Sequence, residues 1–311
     1  MSNTDGNTSS APQFVELPDA PPRRRMKFSW SGKLGICIVV LWMVLGIVGP
    51  YISPYHEAEI LDEELFVVPG SGIEYPDTDY QSPSKIAWLG TDYIGRDTLS
   101  RTLYGARTTL GISLAATLLA YIVGVTLGIG AAVSGGMLDM GISRIIDAFL
   151  SIPPIMLGLI VIAAIGNTIP ILIILTGLIY ATLVFRIARA LGQDVMVSDF
   201  VEAARVRGEG LWWIITREIL PNVTMPLATD FGLRFVWIIL FISSLSFLGL
   251  GVQPPMADWG GMVKENLSGL PYGSIAPLVP ALAIATLTIS INMIVDDISA
   301  HSGGKLAKRM I

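Results

Sequence analysis

AFLSIPPIMLGLIVIAAIGNTIPILIILTGLIYATLVF, residues 148–185, runs for 38 positions without a charged side chain. A helix rises about 1.5 Å per residue, so roughly 20 apolar residues cross a hydrocarbon core of about 30 Å. The run is too long for one crossing and long enough for two. Asn167-Thr168-Ile169-Pro170 supplies a turn at its middle. Four further uncharged runs flank it: 23 residues after Lys33, 31 after Arg107, 23 after Arg234 and 30 after Glu265. Six spans are therefore expected, over 34–52, 108–133, 143–165, 171–190, 225–248 and 275–295. The runs lack the strand alternation of a closed barrel, the other structure that crosses a bilayer with its backbone satisfied. The fold class is an all-α polytopic membrane protein with six transmembrane helices.

Composition agrees. Of 311 residues, 52% are hydrophobic and 14% charged, with a mean hydropathy of +0.63. Soluble domains carry roughly a quarter charged residues, so a soluble enzyme is disfavoured. A net charge of −5 without a basic face argues against nucleic-acid binding. One cysteine, Cys37, rules out a disulfide framework, and two histidines, His56 and His301, leave little for a metal site.

The flanking charges set an orientation. Arg23, Arg24, Arg25, Lys27 and Lys33 precede the first span, which predicts a cytoplasmic N-terminus. The acidic stretch 54–107 is expected outside, and six crossings return Lys305, Lys308 and Arg309 to the cytoplasm. The expected organisation is a disordered tail over 1–30, a first helix within 31–56 and a periplasmic segment over 57–107. A five-helix core over 108–298 follows, interrupted by a cytoplasmic loop at 191–222, and 299–311 form a cytoplasmic tail. Arg24-Arg25 is read as the flank of an uncleaved anchor, because the apolar run behind it is of full span length with no A-x-A-like cleavage site.

The charged segment between the fourth and fifth spans, 199–222, holds two short helices. Ser198 or Asp199 can cap the first, with Glu202 at the capping-box distance from Asp199. Gly208 and Gly210 stop it through positive φ. The second, over 211–220, has Leu211, Trp212, Ile215 and Ile219 on one face and is expected to end at Pro221. From these residues alone, a docking knob and a loop folded onto the membrane interface remain equal readings. Glu202-Ala203-Ala204, then Gly208, then Leu220-Pro221 resembles the E-A-A-x₃-G-x₉-I-x-L-P motif of ATP-binding-cassette importer permeases, with Ile219 one place late. The resemblance implies a type I importer permease fold, with Glu202, Ala203, Ala204, Gly208, Leu220 and Pro221 coupling to an ATPase.

Two further segments narrow the family. Residues 88–107 (WLGTDYIGRDTLSRTLYGAR) and 246–260 (SFLGLGVQPPMADWG) resemble the C-type subunit of dipeptide and oligopeptide permeases. That implies a homologous sister permease of the B type, two ATP-binding subunits and a periplasmic or lipid-anchored substrate-binding protein. ATP and Mg would sit on the ATPases, with no cofactor on this chain, in a bacterial or archaeal plasma membrane among its lipids. Read physically, 98–107 is an amphipathic surface helix, with Leu99, Leu103 and Ala106 down and Arg96, Arg101 and Arg107 up. The loop 246–259 offers Leu248 and Trp259 as plugs of an entrance.

Asn167, Tyr180, Asp230, Arg234, Ser243 and Ser244 are candidates for the translocation path. Ile242 stands where many relatives carry a glutamate, and Asp230 and Arg234 lie four apart on one face instead. A span starting at residue 225 puts Asp230 only about 8 Å inward, as an interfacial pair. Val295-Asp296-Asp297 replaces the relatives' glycine before aspartate. No G-x-x-x-x-G-K-[ST] occurs, nor a G-x-S-x-G elbow. The expected function is therefore a non-catalytic permease subunit for di- or oligopeptides. The alternative is a proton-coupled secondary transporter using Asp230 and Arg234.

Overall fold

The computed structural model describes residues 28–62 and 78–307. The expected N-terminal tail with Arg23–Arg25 and Lys27, the acidic Glu63, Glu64, Glu74 and Asp77, and Lys308 and Arg309 lie outside these residues. Five helices are long and apolar enough to cross a membrane, and two shorter apolar helices, bent by 83° to each other, stand where the sixth span was expected. The helices are α1 (Trp30–Ile52), α2 (Thr98–Ser134), α3 (Gly136–Leu150), α4 (Pro154–Ile165) and α5 (Ile169–Met196), then α6 (Asp199–Val206), α7 (Leu211–Trp213), α8 (Leu220–Phe247), α9 (Trp259–Asn266) and α10 (Leu278–Ala307).

Three boundaries differ from those expected. The surface helix over 98–107 does not exist as a separate element: α2 runs unbroken for 37 residues, so those turns extend the second span. The span expected over 143–165 is broken at Ser151-Ile152-Pro153 into α3 and α4. Pro153 restricts the residue before it and Pro154 opens α4, where its missing N–H costs nothing. The third is the second loop helix, described below with the knob it belongs to.

Helices α2 and α5 form the central pair. Gly124 and Gly128 face α5 on successive turns, and a Cβ on Gly128 would lie 2.7 Å from the Phe185 carbonyl oxygen and 2.9 Å from the Ala188 Cβ. Close backbone approach of this kind holds helices together in lipid, where burying apolar surface gains little. Helix α1 packs similarly, through Gly32 and Gly35 on α10 and Gly46 and Gly49 on α2. Buried Asp297 of α10 accepts the Ser29 backbone N–H at 2.9 Å. It thereby places a carboxylate at the N-terminus of α1, the favoured end for negative charge, which gives Asp297 a role in joining the first helix to the last.

Gly128→Val is expected to force α2 and α5 apart at a cost of about 1–3 kcal/mol. A lowered thermal midpoint of the purified protein in detergent, with Gly111→Val (open space beside it) as the neutral control, checks this.

Candidate coupling knob and polar cluster

Helix α6 stands at one end of the bundle, between the ends of α5 and α8. Val201 and Ala204 are buried against the bundle, whereas Glu202, Ala203, Arg205, Val206 and Arg207 are exposed. Ala204 thus anchors the helix, and Glu202 and Ala203 are presented outward. Ser198 is the N-cap but makes no side-chain cap bond, so the capping box expected from Asp199 and Glu202 does not form. At the other end, Gly208 N–H bonds the Arg205 carbonyl at 2.9 Å and Glu209 N–H the Ala204 carbonyl at 3.2 Å. These are the two bonds of a Schellman motif, and they put Gly208 at φ +83°.

The second loop helix is not stopped by Pro221. Ile214–Ile219 form a π-helical turn that passes directly into α8. A proline inside an α-helix collides with the carbonyl four residues back and leaves it without a donor. Here Leu220 N–H already bonds Ile215, five back, so the widened turn accommodates Pro221. The same turn changes the buried face. Ile214 and Ile219, five apart, are buried, and Leu211 and Trp212 are exposed rather than packed as the 3.6-residue period suggested. Ile214, Ile219 and Val201 pack with Ile129 and Val133 of α2 and Ala188 of α5, which seats the knob on the central pair.

A second group of polar residues lies halfway along three long helices. Tyr121 of α2 donates its hydroxyl to Asp230 Oδ2 at 2.5 Å, and Arg234 Nε lies 3.2 Å from Asp230 Oδ1. Tyr180 of α5 donates to the Trp237 carbonyl at 3.1 Å and meets Phe241 edge-on. Because α8 begins at Leu220 rather than near residue 225, Asp230 and Arg234 stand near its midpoint, not at its edge. The other path candidates separate. Asn167 lies in the connection between α4 and α5, at the far end of α5 from the knob. Ser243 is buried, with its backbone under Gly260 of α9, and only Ser244 shares the exposed face of α8.

At the end opposite the knob, residues 78–97 and α9 form a cap. Arg96 and Arg101, expected in water, are buried. Asp92 Oδ2 accepts from Arg96 Nε at 2.7 Å and Arg101 Nη1 at 2.5 Å, while Glu265 Oε2 accepts from Arg101 Nη1 at 2.8 Å and Arg96 Nη2 at 3.1 Å. Trp259 is no plug. It is fully buried on α2, donating Nε1–H to the Thr102 carbonyl at 3.0 Å. Asp258 beside it accepts the Gly260 and Gly261 N–H groups. Complete burial pushes its carboxyl up to about 6, against the pull of those bonds.

The model of the family described as "Binding-protein-dependent transport system inner membrane component" matches residues 124–307, more than half of the chain. The chain belongs to this family. Its relatives include the dipeptide transport system permease protein DppC of Alkalihalophilus pseudofirmus, 31% identical over 93% of this chain and 91% of the relative. The glutathione transport system permease protein GsiD of Pectobacterium atrosepticum is 32% identical over 74% of this chain and 77% of its own length. The di/tripeptide transport system permease protein DppC of Pseudomonas aeruginosa is 29% identical over 84% of each. This multi-pass membrane permease therefore has the type I importer permease fold of the peptide group. The relatives do not favour the proton-coupled transporter.

Sequence reasoning missed Tyr121, which ties Asp230 to another helix; its position midway along an uncharged run was the available signal. It also missed the Asp139–Arg189 pair, in which Arg189 Nε and Nη2 grip both carboxylate oxygens and fasten α3 to α5.

Two outcomes are expected of the permease. Arg101→Leu leaves Asp92 and Glu265 short of a cation and should cost about 3–5 kcal/mol, read as a fall in thermal midpoint. The native Asp258 takes up its proton near pH 6, the unfolded chain only near 3.8. The native state therefore binds the extra proton between these values, and stability rises as pH falls from 7 to 5. Asp258→Asn should flatten that rise in midpoints measured at both pH values.

Proposed function

We propose that this permease is one of two transmembrane halves of an ATP-driven importer of di- or oligopeptides. The knob carries the reading. An amphipathic helix is fixed to the bundle by Val201 and Ala204, exposes Glu202 and Ala203, and is closed by a glycine that must hold positive φ. It would dock on one of two ATP-binding subunits, so the knob end with both termini faces the cytoplasm and the cap end faces the substrate-binding protein, periplasmic or lipid-anchored. ATP and Mg would be held by those subunits, with neither cofactor nor catalysis on this chain. Closure of the ATPases would move the knob and, through α8, switch access to a path shared with the sister permease.

The names of the relatives support peptides as the cargo, and the family's description as an inner membrane component supports a bacterial or archaeal plasma membrane. A sister permease would also cover the apolar cavity of about 540 Å³ between α3, α4 and α5, lined by Phe149, Leu157, Ile174 and Leu178.

Glu202→Lys and Gly208→Pro test the reading. Proline cannot adopt φ +83°, so the second variant unmakes the turn without adding charge. Both should abolish peptide-stimulated ATP turnover and ATP-dependent uptake in the reconstituted complex. Undiminished turnover in both would remove the coupling role from the knob.

A further inference from the structure

We propose that Arg234 forms a carboxylate-binding subsite on the transport path, holding the free carboxylate of the cargo as it passes the middle of α8. The inference rests on the import reading above, because it needs cargo to travel along α8.

Three features of the polar cluster support it. The first is how Arg234 is held. A strong arginine–carboxylate pair uses two parallel N–H···O bonds, as Arg189 does with Asp139 through Nε and Nη2. Asp230 instead approaches Nε of Arg234 with both oxygens, at 3.2 Å and 3.4 Å. Neither Nη1 nor Nη2 of Arg234 makes a hydrogen bond among the described residues, so the outer edge of the guanidinium is unused.

The second is why Asp230 is so placed. Its Oδ2 is held by the Tyr121 hydroxyl, on a different helix, which draws the carboxylate toward α2 and away from a two-point grip. Tyr121 is in turn fixed edge-on against Phe231, with ring centroids 5.0 Å apart. Tyr180 donates its hydroxyl to the Trp237 carbonyl, and among the described residues its oxygen accepts no bond from Arg234.

The third is access. The Asp230 side chain is 10% exposed and that of Arg234 18%. Arg234 lies beside Leu233, Trp237 and Leu240, an exposed face of α8. An ionised group inside a membrane bundle normally faces the interior and is paired. A guanidinium with an idle fork beside an uncovered face fits a planar anion, and a carboxylate matches that fork in shape and charge. Asp230 keeps the cation tolerable between passages, and the pair's zero net charge lets the anion leave again.

The complete complex, reconstituted in vesicles, is assayed for uptake of dialanine and of dialanine amide, which lacks the carboxylate. The same complex in nanodiscs is titrated with both by tryptophan emission, taking the component lost in Trp237→Phe. Asp230→Asn combined with Arg234→Gln removes both charges together and leaves no uncompensated ion. That double variant should lose about 10- to 100-fold in dialanine uptake per ATP hydrolysed. Wild-type emission should respond to dialanine and not to the amide, and Arg234→Gln should abolish the response. Arg234→Lys, which keeps the charge and loses the fork, should retain part of it and decides the matter where the double variant is unstable. Wild-type uptake by the double variant, or equal titration by dialanine and its amide, would reduce the pair to a structural one and overturn the proposal. If the wild-type complex imports neither peptide, the import reading fails, and the titration still decides for or against Arg234.

Discussion

In a bilayer, apolar helices gain little by leaving lipid for one another, so a bundle depends on places where backbones come close. Gly124 and Gly128 give α2 such a place against Val184 and Ala188 of α5. With α5 held there, α2 can run its 37 residues through the whole molecule. Its first turns carry Arg101 into the cap, its middle carries Tyr121 to Asp230, and its last turns offer Ile129 and Val133 as the seat of the knob. A wider separation of α2 from α5 would disturb all three levels at once.

Charge placement follows from the same scarcity of water. Several charged groups of the bundle are answered by partners remote in sequence. Arg101 and Glu265 are 164 residues apart, Arg189 and Asp139 are 50 apart, and Ser29 and Asp297 are 268 apart. These pairs contribute specificity more than stability, since desolvation offsets much of their attraction. They fix which helix ends meet, a choice that apolar packing alone leaves loose.

The contrast explains what could be read from the sequence. Five of the six expected spans, the short helix α6 and the positive φ of Gly208 depend on local length, charge and glycine chemistry, and these were legible. The elbow at Pro153 was not, because hydropathy measures how long a run is and not which way it points; the Pro153-Pro154 pair was the overlooked signal. Arg96 and Arg101 read as water-facing because Glu265, which closes the cluster with Asp92, follows only after α2, α3, α4, α5 and α8. Ser243 and Ser244 are neighbours in sequence, yet one is buried under α9 and the other exposed, a difference that period alone cannot assign without knowing where α9 folds. Trp212 and Leu211 were placed on the wrong face because the period of that turn is π-helical, which no apolar repeat announced.

That π-helical turn bears most directly on coupling. A helix ending at Pro221 would leave a joint between the knob and the fifth span, and a joint absorbs displacement. The wide turn instead keeps one helical path from Leu211 to Phe247, 37 residues long. Ile214 and Ile219 press it on α2 and α5 at the knob end. Asp230 lies eleven residues beyond Ile219, or about 16 Å along the axis. On the proposed reading, a push on Glu202 and Ala203 therefore reaches the Tyr121–Asp230 bond as a movement of α8 against α2.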